Sequence, residues 1–324
     1  MSLNTKAAVR LPAMTTLMMI AAIAIAGCDA PRGRTSITAA TANGAQRIVS
    51  LAPAITETVF ALGAGPDVAG VSQYCDYPPE VARLPKVGTF ITPNIEAIAG
   101  LRPTIVIGLE SSSDLREIRA LKAMGFRTLM VNDDSIAGIE TSIRAIGDAI
   151  GRAPQAQALL ARIGLKFAAI EERLRGVPAR RVLMVVGHQP MVAVGRGTYL
   201  NELLTMAHAT NIADAAAQTW PRLSLEFIIA TRPDVILDGQ MGSDPRSPST
   251  FWAKYPTIPA VRDHRVLGYP DDPTLHPGPR IVQTLELLAR LIHPEAFARA
   301  AVPPTPIARD FDHLHKIALI EAVR

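Results

Sequence analysis

Two glutamates occupy matched points of a repeated pattern. Glu96 and Glu226 each fall six residues before an Arg-Pro pair, Arg102-Pro103 and Arg232-Pro233, and each pair opens onto a run of branched apolar residues. Aligned without a gap, the copies also share Ile98 with Ile228. Each carboxylate alone reads as part of a solvated helix face, and its recurrence at equivalent points of two like units marks the pair for a shared role. Other side chains offer different chemistry. His188 follows an apolar run and His276 precedes Pro277; each reads as a solvent-exposed loop residue or as an imidazole able to ligate iron or displace a ligand from cobalt. Tyr74, Tyr77 and Tyr269 are packing or stacking groups or, alternatively, oxygen ligands for iron. Arg280 could pair with a ligand's acid or amide, or cap the helix that begins beside it. Gly195-Arg196-Gly197-Thr198 opens a helix, as an anion site or as a plain tight turn. Cys75 has no cation or His beside it in sequence to lower its pKa, and reads as a buried thiol.

Several chemistries lack their motif. The chain has no Gly-x-x-x-x-Gly-Lys-Ser/Thr loop, no His-Glu-x-x-His, no Cys-x-x-Cys and no Gly-x-Ser-x-Gly elbow. These absences argue against those activities, and any ATP hydrolysis belongs to a partner.

These residues must be held by elements, and the pattern supplies them. Short branched runs at Arg47–Leu51, Val68–Val71, Thr104–Gly108 and Arg127–Val131 alternate with helical segments at Thr56–Leu62, Asn94–Gly100, Asp114–Met124 and Ile136–Ile150. Buried strands alternating with helices predict a parallel α/β sheet. Pro154–Arg175 differs in kind, because Leu159, Leu160, Ile163, Phe167, Ile170 and Leu174 recur at three- and four-residue steps until Gly176 and Pro178 end it. That predicts one unbroken helix of roughly 33 Å. The alternation then restarts with a strand at Arg181–Val186, a helix at Tyr199–Ala207, the second copy of the repeat with Val235–Asp238, a strand at Arg265–Gly268 and a closing helix at Pro279–His293. The copies lie 130 residues apart on either side of the long helix, too far for a solenoid repeat. Two α/β lobes joined by a spine, with a cleft between them, follow. The predicted divisions are 46–153 for the first lobe, 154–176 for the spine, 177–293 for the second lobe and 294–324 for a C-terminal tail.

The 324 residues are 48% hydrophobic and 19% charged, as in a globular chain with sizeable cores. A net charge of +4 is spread without a basic run, which argues against nucleic acid as a partner. The first 28 residues hold no acid, two separated cations and an apolar core from Met14 to Ala26, then Gly27-Cys28. This reads as a signal peptide, and its small residues before Cys resemble the lipobox of bacterial lipoproteins, which implies lipidation at Cys28. Asp29 resembles the signal that retains such lipoproteins at the inner membrane. Residues 29–45 are rich in Ala, Thr, Gly and Ser and read as a flexible tether.

From about Arg47 to His293 the chain resembles the helical-backbone class of periplasmic substrate-binding proteins that serve ABC importers of cobalamin, haem and ferric siderophores. The resemblance is carried by Arg47–Pro53 with Thr56-Glu57, Gly70-Val71-Ser72, Asp76–Pro79, Val87-Gly88, both repeat segments, Gly195–Leu204 and Pro277–Arg280. The Ser72–Pro79 stretch and Trp220-Pro221 look most like the cobalamin-binding branch. There the positions of Tyr74, Phe90, Trp220 and Arg280 line the corrinoid cleft, although the branch usually carries Trp where Phe90 and Leu109 stand here. The resemblance implies a binding protein and not an enzyme, a monomer with no metal or cofactor of its own that takes a corrinoid as its small-molecule ligand; the alternatives are haem or a ferric siderophore, or a non-transporting lipoprotein that kept the fold. It implies an ABC permease dimer with its ATPase as partner, docking through Glu96 and Glu226, and a periplasmic location, tied to the inner membrane by the lipid.

Overall fold

The computed structural model describes residues 46–112, 114–239 and 250–298. The signal segment with Cys28, the tether, and the tail beyond residue 298 lie outside them. The first lobe runs β1 (Ile48–Ser50), α1 (Pro53–Ala61), β2 (Val68–Val71), α2 (Ile95–Gly100), β3 (Ile105–Leu109), α3 (Arg116–Ala123), β4 (Thr128–Val131) and α4 (Ile136–Ala149). Its four strands are all parallel, in the order β2-β1-β3-β4. Helix α1 begins three residues earlier than the pattern suggests, because Pro53 is accepted in a first turn, where its missing N–H has no helical partner to lose.

After α5 (Ala153–Leu174) the second lobe runs β5 (Arg180–His188), β6 (Met191–Ala193), α6 (Tyr199–Met206), β7 (Ala209–Asn211), α7 (Leu225–Thr231), β8 (Val235–Asp238), α8 (Pro259–Arg262), β9 (Val266–Gly268), α9 (Asp271–Thr274), α10 (Ile281–Ile292) and α11 (Pro294–Phe297). Strands β7, β5, β8 and β9 are parallel in that order, which repeats the first lobe's arrangement strand for strand. The addition is β6, antiparallel to the far end of β5. This hairpin carries β5 on to His188, beyond the expected end at Val186.

Both copies of the repeat fold alike. Asn94 accepts from the Ala97 N–H at 3.0 Å to cap α2, and Ser224 accepts from the Phe227 N–H at 3.2 Å to cap α7. The shared Ile98 and Ile228 are fully buried. Arg102 and Arg232 both take left-handed backbone, at φ 45° and 49°. Each precedes a proline, whose ring disfavours another right-handed helical residue before it, so the Arg-Pro pair is the stop signal of both helices.

Helix α5 buries Ala156, Leu159, Ile163, Phe167, Ile170 and Leu174 along one stripe and packs on α4 of one lobe and α10 of the other. Leu160, expected on that stripe, is only partly buried at its rim. The stripe belongs to a single apolar cluster that continues into both lobes. At roughly 1.5–3 kcal/mol per fully buried large aliphatic side chain, it makes the spine a rigid joint. The tail begins on this frame: the Phe297 ring lies 5.2 Å from the Arg173 guanidinium and 4.6 Å from that of Arg290. A polar tie also crosses between the lobes where Glu202, on α6, accepts from the Ile136 N–H at the start of α4, at 2.8 Å.

Candidate functional site

Parallel strands end on a common edge, and in open α/β sheets ligands lie outside those carboxyl ends. The loops leaving them carry most of the candidates: Ser72–Pro79 after β2, Asn132–Ser135 after β4, His188 ending β5, Asp238 ending β8, and Tyr269–Arg280 after β9.

A charged knot joins the lobes at this edge. Helix α1 is buried from Ala54 to Val59, and it carries Glu57, whose side chain is 2% exposed. A carboxylate so placed requires a partner, and it finds Arg280, immediately before α10. Arg280 Nε donates to Glu57 Oε2 at 2.8 Å and Nη2 to Oε1 at 2.5 Å. Its Nη1 donates to Asp272 Oδ2 at 2.9 Å, and Nη2 also contacts Asp272 Oδ1. The Tyr77 ring covers the guanidinium, with the centroid 4.1 Å from its carbon. Burial pulls the Arg280 pKa down, but the bonds and charges of Glu57 and Asp272 outweigh it and leave it raised. Burial raises Asp272, and Arg280 beside it more than reverses this. His276 Nδ1 lies 3.1 Å from Asp272 Oδ1 and 3.7 Å from Glu57 Oε1. Its pKa is raised, first by Glu57, against burial, and then by the further charges of Asp272 and Asp76. Ligating atoms of Glu57, Asp272 and His276 lie within 4.8 Å of one another, but the Arg280 cation already answers the two carboxylates.

Of the two sequence readings of Arg280, neither describes its bonds fully. It stands at the N-cap of α10 without a side-chain cap bond, and its donors are turned to the protein's own carboxylates. Glu57 did not stand out in the sequence as a site residue; the signal was the lone charged residue of a short helix.

His188 is drawn inward by the hairpin. Its Nε2 lies 2.6 Å from Asp238 Oδ1, and its side chain is 15% exposed. Edge contacts from Phe251 and Trp252 enclose the ring at 5.3 and 6.0 Å. Its Nδ1 is buried without a hydrogen-bond partner among the described residues. In the repeat alignment Asp238 stands where the first lobe has Gly108.

The aromatic candidates face outward. Tyr74 is 51% exposed, with its ring 6.2 Å from that of partly buried Phe90. Trp220 is 46% exposed, in the segment that bonds alongside β6 through Pro221 and Arg222. Tyr269 is excluded as an iron ligand, because it is buried, its hydroxyl donates to the Val185 carbonyl at 2.7 Å, and burial pushes its pKa up. The Gly195–Thr198 segment is a tight turn: Gly197 has φ 81°, Thr198 caps α6, and a Cβ at Gly195 would strike the Gln218 carbonyl. Cys75 is buried against Thr56 and Ser72, and burial raises its thiol.

Three further acids stand apart from the knot. Glu96 and Glu226 are exposed in the first turns of α2 and α7, one per lobe. The Glu226 carboxyl is held low by its own backbone N–H and by Ser224. Asp133, just past β4, is pushed up to about 6 by burial and by the adjacent Asp134 charge, against a bond from its own N–H. It lines a small cavity with Ala54, Thr58 and Pro277, where the lobes meet.

Residues 48–273 match the model of the periplasmic binding protein family, and the chain belongs to that family. It is 31% identical over 309 residues to an uncharacterized ABC transporter substrate-binding lipoprotein, YvrC, of Bacillus subtilis, covering 86% of this chain and 96% of that one. A vitamin B12-binding protein of Salmonella paratyphi A is 28% identical over 217 residues, covering 67% and 81%. Among solved structures, the apo periplasmic haem-binding protein RhuT of Roseiflexus sp. RS-1 superposes with a TM-score of 0.69 at 31% identity, over 78% of this chain and all of that one. Together these define an ABC-transporter substrate-binding protein of the cobalamin, haem and siderophore class.

Proposed function

We propose that the protein is an extracytoplasmic lipoprotein, anchored to the inner membrane through Cys28, that captures a corrinoid between its lobes and delivers it to an importer. It works as a monomer and neither makes nor breaks a covalent bond in its ligand. The observation that carries the corrinoid reading is the pair of exposed aromatic surfaces on the carboxyl edges of the two lobes, Tyr74 with Phe90 on one and Trp220 on the other. Flat apolar faces with a few polar groups are what a flat macrocycle needs. The likeness to vitamin B12-binding proteins supports the same ligand. His188, His276 and Arg280 border the cleft in this reading, although His188 turns Nε2 to Asp238. Calorimetric titration with cyanocobalamin, haemin and a ferric hydroxamate separates the class members, and binding of none removes the reading.

Haem capture is the second reading, favoured by the likeness to RhuT and by the exposure of Tyr74. A Soret shift lost in Tyr74→Phe or His276→Ala would select it.

Delivery rests on Glu96 and Glu226, which meet cations on the two halves of a permease dimer while its ATPase supplies the energy. The double variant Glu96→Ala/Glu226→Ala is expected to bind ligand normally and lose most uptake in a transport assay. Unchanged uptake would remove the docking role.

A further inference from the structure

We infer that the Glu57–Arg280–Asp272 knot sets ligand choice by charge, forming an acceptor wall that favours amide-edged macrocycles over carboxylate-bearing ones. The inference rests on the macrocycle reading above. A guanidinium has five N–H donors. Here Nε, both Nη2 hydrogens and one Nη1 hydrogen are directed at carboxylate oxygens of Glu57 and Asp272. The Tyr77 ring covers the guanidinium, and the Arg280 side chain is only 10% exposed. Arg280 therefore has one donor left for a ligand carboxylate.

The balance of charge points the same way. Two carboxylates face one guanidinium, so with His276 neutral the knot is net negative, and with His276 protonated it is at most neutral. The part that meets solvent is Asp272, 42% exposed, and the Asp76 charge also acts on this cluster. A ligand carboxylate arriving here meets like charge, a juxtaposition that discriminates strongly against wrong partners. A ligand amide meets an ionised acceptor, the stronger kind of hydrogen bond. Corrinoids carry amides around their rim, and haem carries two propionates.

The test compares haemin with its bis-amide, which differ only at those two groups, beside cyanocobalamin. Wild-type protein is expected to bind the bis-amide about tenfold more tightly than haemin, a gap that one unfavourable charge contact supports. Asp272→Asn frees donors of Arg280 and removes a negative charge, so haemin tightens, the gap falls below about threefold, and cyanocobalamin weakens. Equal binding of haemin and bis-amide by the wild type overturns the inference without any variant, even where cyanocobalamin binds well. A gap that persists unchanged in folded Asp272→Asn overturns it too. A gap that closes as described, with cyanocobalamin unbound throughout, upholds the charge wall and removes the corrinoid reading instead.

Discussion

Among the described residues, two carboxylates cross between the lobes in opposite directions. Glu57, on the first helix of the first lobe, reaches the residue before α10, the helix that packs that side of the spine. Glu202, on the first helix after the second lobe's hairpin, reaches the first residue of α4, the spine's neighbour on the other side. The exchange follows from building both lobes on one strand order. The chemistry differs because the receiving ends differ. Ser135 already caps α4 through the Gly138 N–H, so Glu202 has one backbone N–H to satisfy in a partly exposed place. Helix α10 has Arg280 at its cap, and that cation holds Glu57 in a buried pair closed by Asp272. The same position in the fold thus yields a helix-end contact on one side and a buried ion pair on the other.

That contrast can be broken deliberately. The largest effect is expected from Glu57→Ala, which leaves Arg280 short of its buried partner; loss of one member of such a pair costs about 3–5 kcal/mol, readable by urea unfolding. Pairing it with Arg280→Met should recover much of the loss, since a buried pair is often replaceable by apolar groups. A cost below about 1 kcal/mol for Glu57→Ala would mean the two ties are equivalent after all.

Asp133 sharpens the comparison from the α4 side. Its folded pKa, about 6, lies above the ordinary carboxylate value. Stability from the protonated form is thus fully present below about pH 4 and is lost as pH rises through about 6. The swing is up to about 3 kcal/mol for two pKa units. Asp133→Asn should remove that slope and stabilise the protein at pH 7–8, measured as unfolding free energy against pH. A wild-type profile without this fall between pH 4 and 6 would contradict it. Glu202→Ala is the smallest change, about 0.3–1 kcal/mol, as expected for one carboxylate at a helix N-terminus.

Much of this was legible beforehand because it rests on local signals. The alternation of short apolar runs with helices predicts two parallel sheets, and the repeat marks the matching helices, to which the structure adds the Asn94 and Ser224 caps. The long apolar stripe predicts α5 to within a residue or two at each end. Strand β6 escaped because Met191–Ala193 is too short to show a period, and with it went the inward turn of His188. The knot escaped for another reason: Glu57 and Arg280 lie 223 residues apart, and no local pattern pairs an acid in one lobe with a cation in the other. Asp133 titrates unusually because of what packs around it, which is invisible in Asn132-Asp133-Asp134.

The proposed function is capture of a corrinoid between aromatic faces from both lobes. Calorimetric titration of the wild type, Tyr74→Ala and Trp220→Ala with cyanocobalamin tests it most directly. One site per chain is expected, with affinity lowered about tenfold or more in each variant, since each removes an aromatic face from a different lobe. Absence of binding, or binding indifferent to both substitutions, would contradict it.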